Sequence, residues 1–156
     1  ATTNEQDYWE RYLGIRVTTT TNVATANDNI FDITGPVAIT LMFGEVTSVI
    51  ATTTSMRITT SVATAFNLCA SSDVASDADG TMYMISGDPA ELLNNQTVPV
   101  TKMAWTLDGT RNLFILGNDG VTDALLQVID GAGTGTILWT AFYIPLGTSA
   151  TMSASA

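Results

Sequence analysis

The longest apolar stretch of the chain, at Asn29–Ile50, is the feature that most constrains its fold. Within this stretch, Val37–Gly44 reads VAITLMFG, and its alternating residues belong to the two opposite faces of a pleated strand. Both faces are largely apolar, so we expect a strand that is covered on both sides. The second cover is either another layer of the same chain or a partner molecule.

Threonine content favours strands over helices along the rest of the chain. The sequence contains 27 threonines among 156 residues, and this β-branched residue prefers the half-exposed surface of a sheet. Alternating or short apolar runs bounded by turn residues predict the individual strands. These runs lie at Ile15–Ala26, Ile30–Ile33, Val37–Gly44, Val46–Ala51, Met56–Val62, Thr81–Ser86, Leu113–Leu116, Ala124–Ile129 and Ile137–Leu146.

Three Asp-Gly dipeptides mark the last third of the chain, at residues 108–109, 119–120 and 130–131. Asp-Gly is a strong hairpin-turn signal because glycine accepts a positive φ. Their regular spacing is typical of short antiparallel strands in a sandwich or barrel. The segment VTDALLQVI between two of these turns also fits a helix of about two turns. The flanking turns favour the strand.

An amphipathic helix is predicted at residues 4–13, where Asn4 can cap the first turn and Gly14 ends the helix. Its apolar stripe is too rich for so short a helix to stand alone in water, so the stripe must dock on another surface. That surface is either the β domain of the same chain or a neighbouring subunit. The candidate partner-interface residues are Tyr8, Trp9, Tyr12 and Leu13.

These patterns divide the chain into three parts. Residues 1–14 are predicted to be an N-terminal helical arm, and residues 15–147 a single β-sandwich domain of antiparallel strands. Residues 148–156 are predicted to be a flexible C-terminal tail, because TSATMSASA has no core-forming pattern. Such a terminal segment frays unless it lies on a partner.

The chain carries little charge, and most of that charge is negative. Charged residues make up 13% of the sequence, with 15 Asp+Glu, 5 Lys+Arg and a formal net charge of -10. Five scattered cations cannot build a phosphate-binding groove, so neither nucleic acid nor an anionic membrane is an expected partner. A chain this poor in charge is expected to cover part of its exterior in an assembly. An exterior of Thr and Ser is the alternative explanation.

No residue pattern predicts catalysis, a metal centre or a cofactor site. The chain has no histidine and one cysteine, Cys69, which excludes histidine-based triads and thiolate zinc sites. Cys69 is predicted to be a small core residue. Asp32 and Glu45 are the acids embedded in apolar sequence, so they are the remaining candidates for a glycosidase pair. We favour solvent-facing carboxylates and no enzymatic activity.

The loop SSDVASDADGT at residues 71–81 has the acid spacing of a calcium loop at first sight. It fails the EF-hand register, because the first and twelfth positions of that register are not carboxylates here. A looser cation site formed by Asp73, Asp77 and Asp79 stays open.

Three segments together resemble small structural proteins of tailed-bacteriophage particles. They are NIFDITGPVAITLMFGEVTSVI, DADGTMYMISGD and the aromatic ending GTILWTAFYIPLGTSA. The resemblance spans residues 29–147 and carries no functional residue with it. It implies a capsid decoration or cement subunit, or a tail or fibre component. The fold that it implies is a jelly-roll-like sandwich that forms a homotrimer.

On this resemblance we expect a structural virion protein on the outer surface of the phage head. Its partners would be copies of itself and the major capsid protein or other virion proteins. The negative charge suits an outer surface better than contact with packaged DNA. The alternative is a tail-fibre or receptor- and glycan-binding module that stacks sugars on aromatic side chains. Trp105 and Trp139 lie mid-strand, where aromatic residues are more often core than ligand platforms.

Overall fold

The computed structural model describes residues 11–23, 28–52, 55–61, 66–69, 71–84, 114–116, 124–129 and 133–156. These segments contain β1 (Ile15–Asn22), β2 (Asp28–Thr34), β3 (Val37–Ala51), β4 (Arg57–Ser61), β5 (Phe66–Asn67), β6 (Met82–Met84), β7 (Phe114–Leu116), β8 (Ala124–Ile129), β9 (Thr134–Pro145) and β10 (Thr151–Ala154). Every strand pairing is antiparallel. The prediction of an all-β antiparallel fold is therefore confirmed over this part of the chain.

The described strands form two open sheets. In sheet A the strand order is β1-β9-β3-β6, and β7 also pairs with β3. In sheet B the order is β10-β2-β8-β4-β5. The long strands β3 and β9 form the centre of sheet A, where they pair from Val37↔Pro145 to Ala51↔Thr134.

Strand β3 changes face partway along its length. The two strands predicted at 37–44 and 46–51 are one continuous strand, and its register with β9 shifts between Ile39 and Leu41. Ile39 faces the core before this bulge, whereas Met42 faces it afterwards and Leu41 and Phe43 are only half-buried. The expectation that alternate residues share one face along 37–44 is therefore wrong, because one inserted residue inverts the alternation.

The prediction for the C-terminal segment, residues 148–156, is also corrected. This segment was expected to be a flexible tail, but Thr151–Ala154 forms β10 and pairs with β2 at the edge of sheet B. The Met152 side chain is 4% exposed and belongs to the core. A four-residue strand needs only one well-placed apolar side chain, which leaves too little pattern to recognise. The strand predicted at Ala124–Ile129 is confirmed as β8.

Side chains from both sheets meet in one hydrophobic cluster. Trp139 of β9 is fully buried there, its indole N–H donates to the Thr21 hydroxyl at 3.0 Å, and its ring stacks on Tyr83 at 6.4 Å. Ile33 and Ile58 contribute from sheet B. Buried area of this kind stabilises a domain by about 25 cal/mol per Å². The prediction that Trp139 is a core residue is confirmed.

Cys69 also lies in the core, as predicted. Its side chain is buried, and its sulfur accepts the backbone N–H of Ile58 at 3.2 Å. The predicted helix at residues 4–10, the three Asp-Gly turns and Trp105 lie outside the described residues.

Candidate interaction surface

The end of the N-terminal arm docks on sheet A. Residues 11–13 are helical, and the helix ends at Gly14 with φ 95°. A Cβ at Gly14 would stand 2.2 Å from the Tyr143 carbonyl oxygen, so only glycine permits this approach to β9. The Thr40 hydroxyl, at the bulge of β3, donates to the Leu13 carbonyl oxygen. The part of the arm that is described thus docks on its own chain.

The predicted partner-interface residues differ in exposure. Leu13 is half-buried at the docking point, whereas the Tyr12 side chain is 65% exposed. Tyr8 and Trp9 lie outside the described residues. Docking of the arm end on sheet A leaves Tyr12 on the surface, where a partner can contact it.

Strand pairing brings three more exposed apolar side chains to the same end of sheet A. Ile15 begins β1 and pairs with Tyr143, the residue before Ile144. Leu146 follows β9, and its N–H donates to the Pro36 carbonyl at 2.9 Å. Tyr12, Ile15, Ile144 and Leu146 are each at least 43% exposed. We call these four residues the junction patch.

Sequence reasoning found one residue of the junction patch and missed three. Tyr12 stood out because it belonged to an apolar helical stripe. Ile15 and Ile144 lie near strand ends, and only the β1–β9 register shows that they share one end of sheet A, although more than 120 residues separate them in sequence. Apolar residues at the predicted strand ends were the one available signal, and such residues are common at the surface of any domain.

Two cations lie next to the junction patch. Arg11 precedes Tyr12, Arg16 follows Ile15, and both side chains are exposed. They are two of the five basic residues in a chain whose formal net charge is -10. An apolar patch with arginines at its rim is the composition that protein interfaces favour.

The two candidate glycosidase acids do not come together. Asp32 lies on β2 of sheet B between the buried Phe31 and Ile33, so it is on the outer face of that sheet. Its carboxylate accepts the Ser155 hydroxyl at 2.6 Å. Glu45 lies on β3 of sheet A, on the face opposite to the core. Acids on the outer faces of different sheets cannot flank one glycosidic bond.

The acidic loop uses its carboxylates to hold its own fold. Asp73 accepts the Ala75 N–H at 2.9 Å, and the buried Asp77 accepts the Tyr83 hydroxyl at 2.7 Å. Burial, and then the hydrogen bond and charge of Asp77, raise the pKa of Tyr83. Asp79 is exposed in a turn. No group of three or more acidic, Cys or His side chains among the described residues could hold a metal ion.

The aromatic side chains give little support to a sugar platform. Trp139, Tyr83 and Tyr143 are core residues with at most 5% exposure. Among the aromatic side chains whose exposure the structure describes, Tyr12 is the exposed one.

No helix in the described segments is long and apolar enough to cross a bilayer. Comparison of the chain with protein-family models, with characterised proteins and with solved structures returned no match.

Proposed function

We propose that this chain is a structural subunit of a tailed-phage particle, attached to the outer surface of the head as a decoration or cement protein. It acts through contacts with other copies of itself, for which the resemblance implies a trimer, and with capsid proteins. Its two sheets are proposed to be the layers of a jelly-roll-like sandwich. One core cluster that receives side chains from both sheets supports that arrangement.

The observation that carries the proposal is the junction patch. Four large apolar side chains are exposed at one end of sheet A, where Arg11 and Arg16 are their neighbours in sequence. Strand alternation places Ile144 on the outer face of the sheet and Ile15 on the core side, at its edge. A monomeric domain gains nothing from exposing these side chains, whereas a particle subunit buries them against a neighbour. A cement protein stabilises a capsid in this way, because each buried interface favours the assembled state by mass action.

The test compares two matched substitutions in the phage that encodes the chain. Ile144→Asp places a carboxylate in the junction patch, and Val49→Asp places one on β3 at a comparably exposed position near the opposite end of sheet A. Both variants are expected to fold, as judged by circular dichroism. Particles purified by density gradient are expected to retain the Val49 variant and to lose most of the Ile144 variant. Phage that encode the Ile144 variant should also lose infectivity faster on heating than phage that encode the Val49 variant.

Absence of the wild-type protein from purified particles would overturn the proposal, as would equal retention of both variants. If the protein is absent from heads but binds a glycan array, and Tyr12→Ala abolishes that binding, the receptor-binding alternative is correct instead.

A further inference from the structure

Strand β1 is the longest open edge among the described strands. It is the terminal strand of sheet A and is eight residues long. The terminal strands β10, β5 and β6 have four, two and three residues. β1 contains neither Pro nor Lys, and it pairs with β9 through eight residues without a register shift. Of the sequence devices that discourage an edge strand from pairing with another chain, β1 carries one charged side chain, Arg16.

The direction of each backbone group of β1 follows from two contacts. The Val23 N–H, just after β1, donates to the carbonyl of Gly135 in β9 at 3.1 Å. Because antiparallel pairs alternate, the odd-numbered residues of β1 hydrogen-bond to β9, and the backbone groups of the even-numbered residues point outward. The contact of Asn22 supports this assignment. Asn22 is even-numbered, and its N–H donates to the Asp28 carboxylate and not to β9.

Asp28 therefore closes one end of the edge from within the molecule. Farther along, no hydrogen bond joins the outward backbone groups of Arg16, Thr18 and Thr20 to any residue in the described segments. Their side chains are exposed as well. These three residues define the free edge.

We propose that the free edge pairs antiparallel with the free edge of a second copy of this chain, with Thr18 on a two-fold axis. In that register Arg16 lies opposite Thr20 of the partner subunit, and each of the three free-edge residues meets another free-edge residue. About six backbone hydrogen bonds form, and two copies of sheet A become one continuous sheet.

Charge is compatible with a second copy as the occupant. β1 has no acidic residue, so two chains that each carry a net charge of -10 can pair along this strand without placing carboxylates of β1 opposite each other. In the proposed register, Arg16 lies diagonally across from Asn22 of the partner subunit, whose N–H holds the carboxylate of Asp28. The two-fold axis repeats this Arg–Asp juxtaposition. Self-pairing therefore joins opposite charges and places no like charges opposite each other.

The inference goes beyond the proposed function and does not depend on it. Two-fold pairing gives a dimer of a 16.4 kDa chain, which takes the place of the trimer that the resemblance implies. The masses of the two assemblies differ, and neither depends on the presence of a phage head. Failure of the particle experiment would leave the free-edge pairing untouched, and the reverse also holds.

Disulfide trapping tests the register. Thr18→Cys is expected to form a covalent dimer with diamide as oxidant, because two copies of residue 18 face each other across the axis. Thr20→Cys is the matched control, on the same strand and face. Its two copies lie about 13 Å apart, too far for a disulfide. We expect the Thr18 variant to cross-link at least about tenfold faster than the Thr20 variant. Cys69 is buried and stays in both proteins.

Light scattering tests the assembly itself. The wild-type chain is expected to be a dimer, and Thr18→Pro should give a folded monomer, because proline removes an outward N–H that β9 does not use. A monomeric wild-type chain, a trimer without Thr18 cross-linking, or equal cross-linking of both cysteine variants would overturn the proposal. If the proline variant does not fold, Thr18→Asp replaces it. Acids brought together on the axis should likewise give a folded monomer, and a dimer that persists in this variant would overturn the proposal.

Discussion

The Trp139 side chain of β9 contacts the strands on both sides of it, β3 and β1. Its ring lies against the backbone of Gly44 on β3, and its N–H is held by Thr21 on β1. A glycine at position 44 leaves room for this ring, because a Cβ there would stand 2.6 Å from an indole carbon. The apolar context of Trp139 predicted its burial. The need for glycine opposite it could not be predicted, because it depends on the pairing of β3 with β9.

Gly44→Ala is therefore expected to lower the free energy of unfolding by about 2 kcal/mol or more, as overpacking of a tight core does. Urea unfolding followed by tryptophan fluorescence measures the loss. Gly147→Ala is the control, since a Cβ at Gly147 has its nearest neighbour at 3.6 Å, and this variant should differ little from the wild type. Equal stability of the two variants would contradict the packing of Trp139 against Gly44.

Tyr83 makes stability depend on alkaline pH. Its pKa is raised above the ordinary value of 10.0, mainly by burial and further by Asp77. The unfolded chain therefore loses this proton first, so the stabilisation is complete below about pH 10 and falls as pH rises above it. Tyr83→Phe should cost about 1–3 kcal/mol at pH 7, because Asp77 loses a buried donor.

The same variant should show a shallower loss of stability between about pH 9.5 and 11.5. Parallel urea titrations of wild type and variant at several pH values measure this difference. Identical slopes would mean that Tyr83 ionises as readily in the folded chain as in the unfolded one.

At the scale of elements, strand β3 could be predicted from the sequence, but its bulge could not. Its existence, its position and its central place were predicted from apolar alternation and are confirmed. The bulge was not predictable, because the apolar pattern continues on both faces and gives no sign of an inserted residue. Thr40 is the residue at the bulge. Its hydroxyl donates to the Leu13 and Phe142 carbonyls, and both residues are distant from Thr40 in sequence, so these contacts could not be predicted from local pattern.

The bulge predicts unequal effects for neighbouring residues. Met42 is 4% exposed, so Met42→Ala should lower the free energy of unfolding by about 2–5 kcal/mol. The sequence alone predicts an equal loss for Leu41→Ala. Because Leu41 is only half-buried, this variant should lower the free energy of unfolding by about 1–2 kcal/mol. Chemical denaturation of the two variants gives the comparison. A larger loss at Leu41 would restore the unbroken alternation.

Strand β10 was missed for a different reason. Its residues are small and polar apart from Met152, and the ladder with β2 supplies its order. Such a strand is defined by its partner and not by its own composition. The same limit applies to the junction patch, in which Tyr12 could be predicted from a helical stripe but Ile144 and Leu146 required the fold.

At the scale of the whole molecule, the described end of the arm contacts the β domain at Thr40 and Tyr143. Deleting residues 1–14 removes the Leu13–Thr40 hydrogen bond and the exposed Tyr12, but it leaves every described strand intact. The truncated chain is expected to fold with a loss of about 1–2 kcal/mol and to assemble less tightly. Circular dichroism and light scattering of the truncated and full chains check both outcomes. A truncated chain that does not fold would place the arm in the core.

The long-range pairing of β9 and β10 has a consequence for synthesis of the protein. The Trp139–Thr21 and Ser155–Asp32 contacts join residues 118 and 123 positions apart. During translation β1, β2 and β3 leave the ribosome well before the strands that cover them, so an apolar segment stays uncovered until residues 134–154 emerge. Chains with such distant contacts fold slowly and are prone to aggregate while they wait. The yield of folded protein in cells should therefore fall as the growth temperature rises and increase with chaperone supply, even if the folded protein is stable.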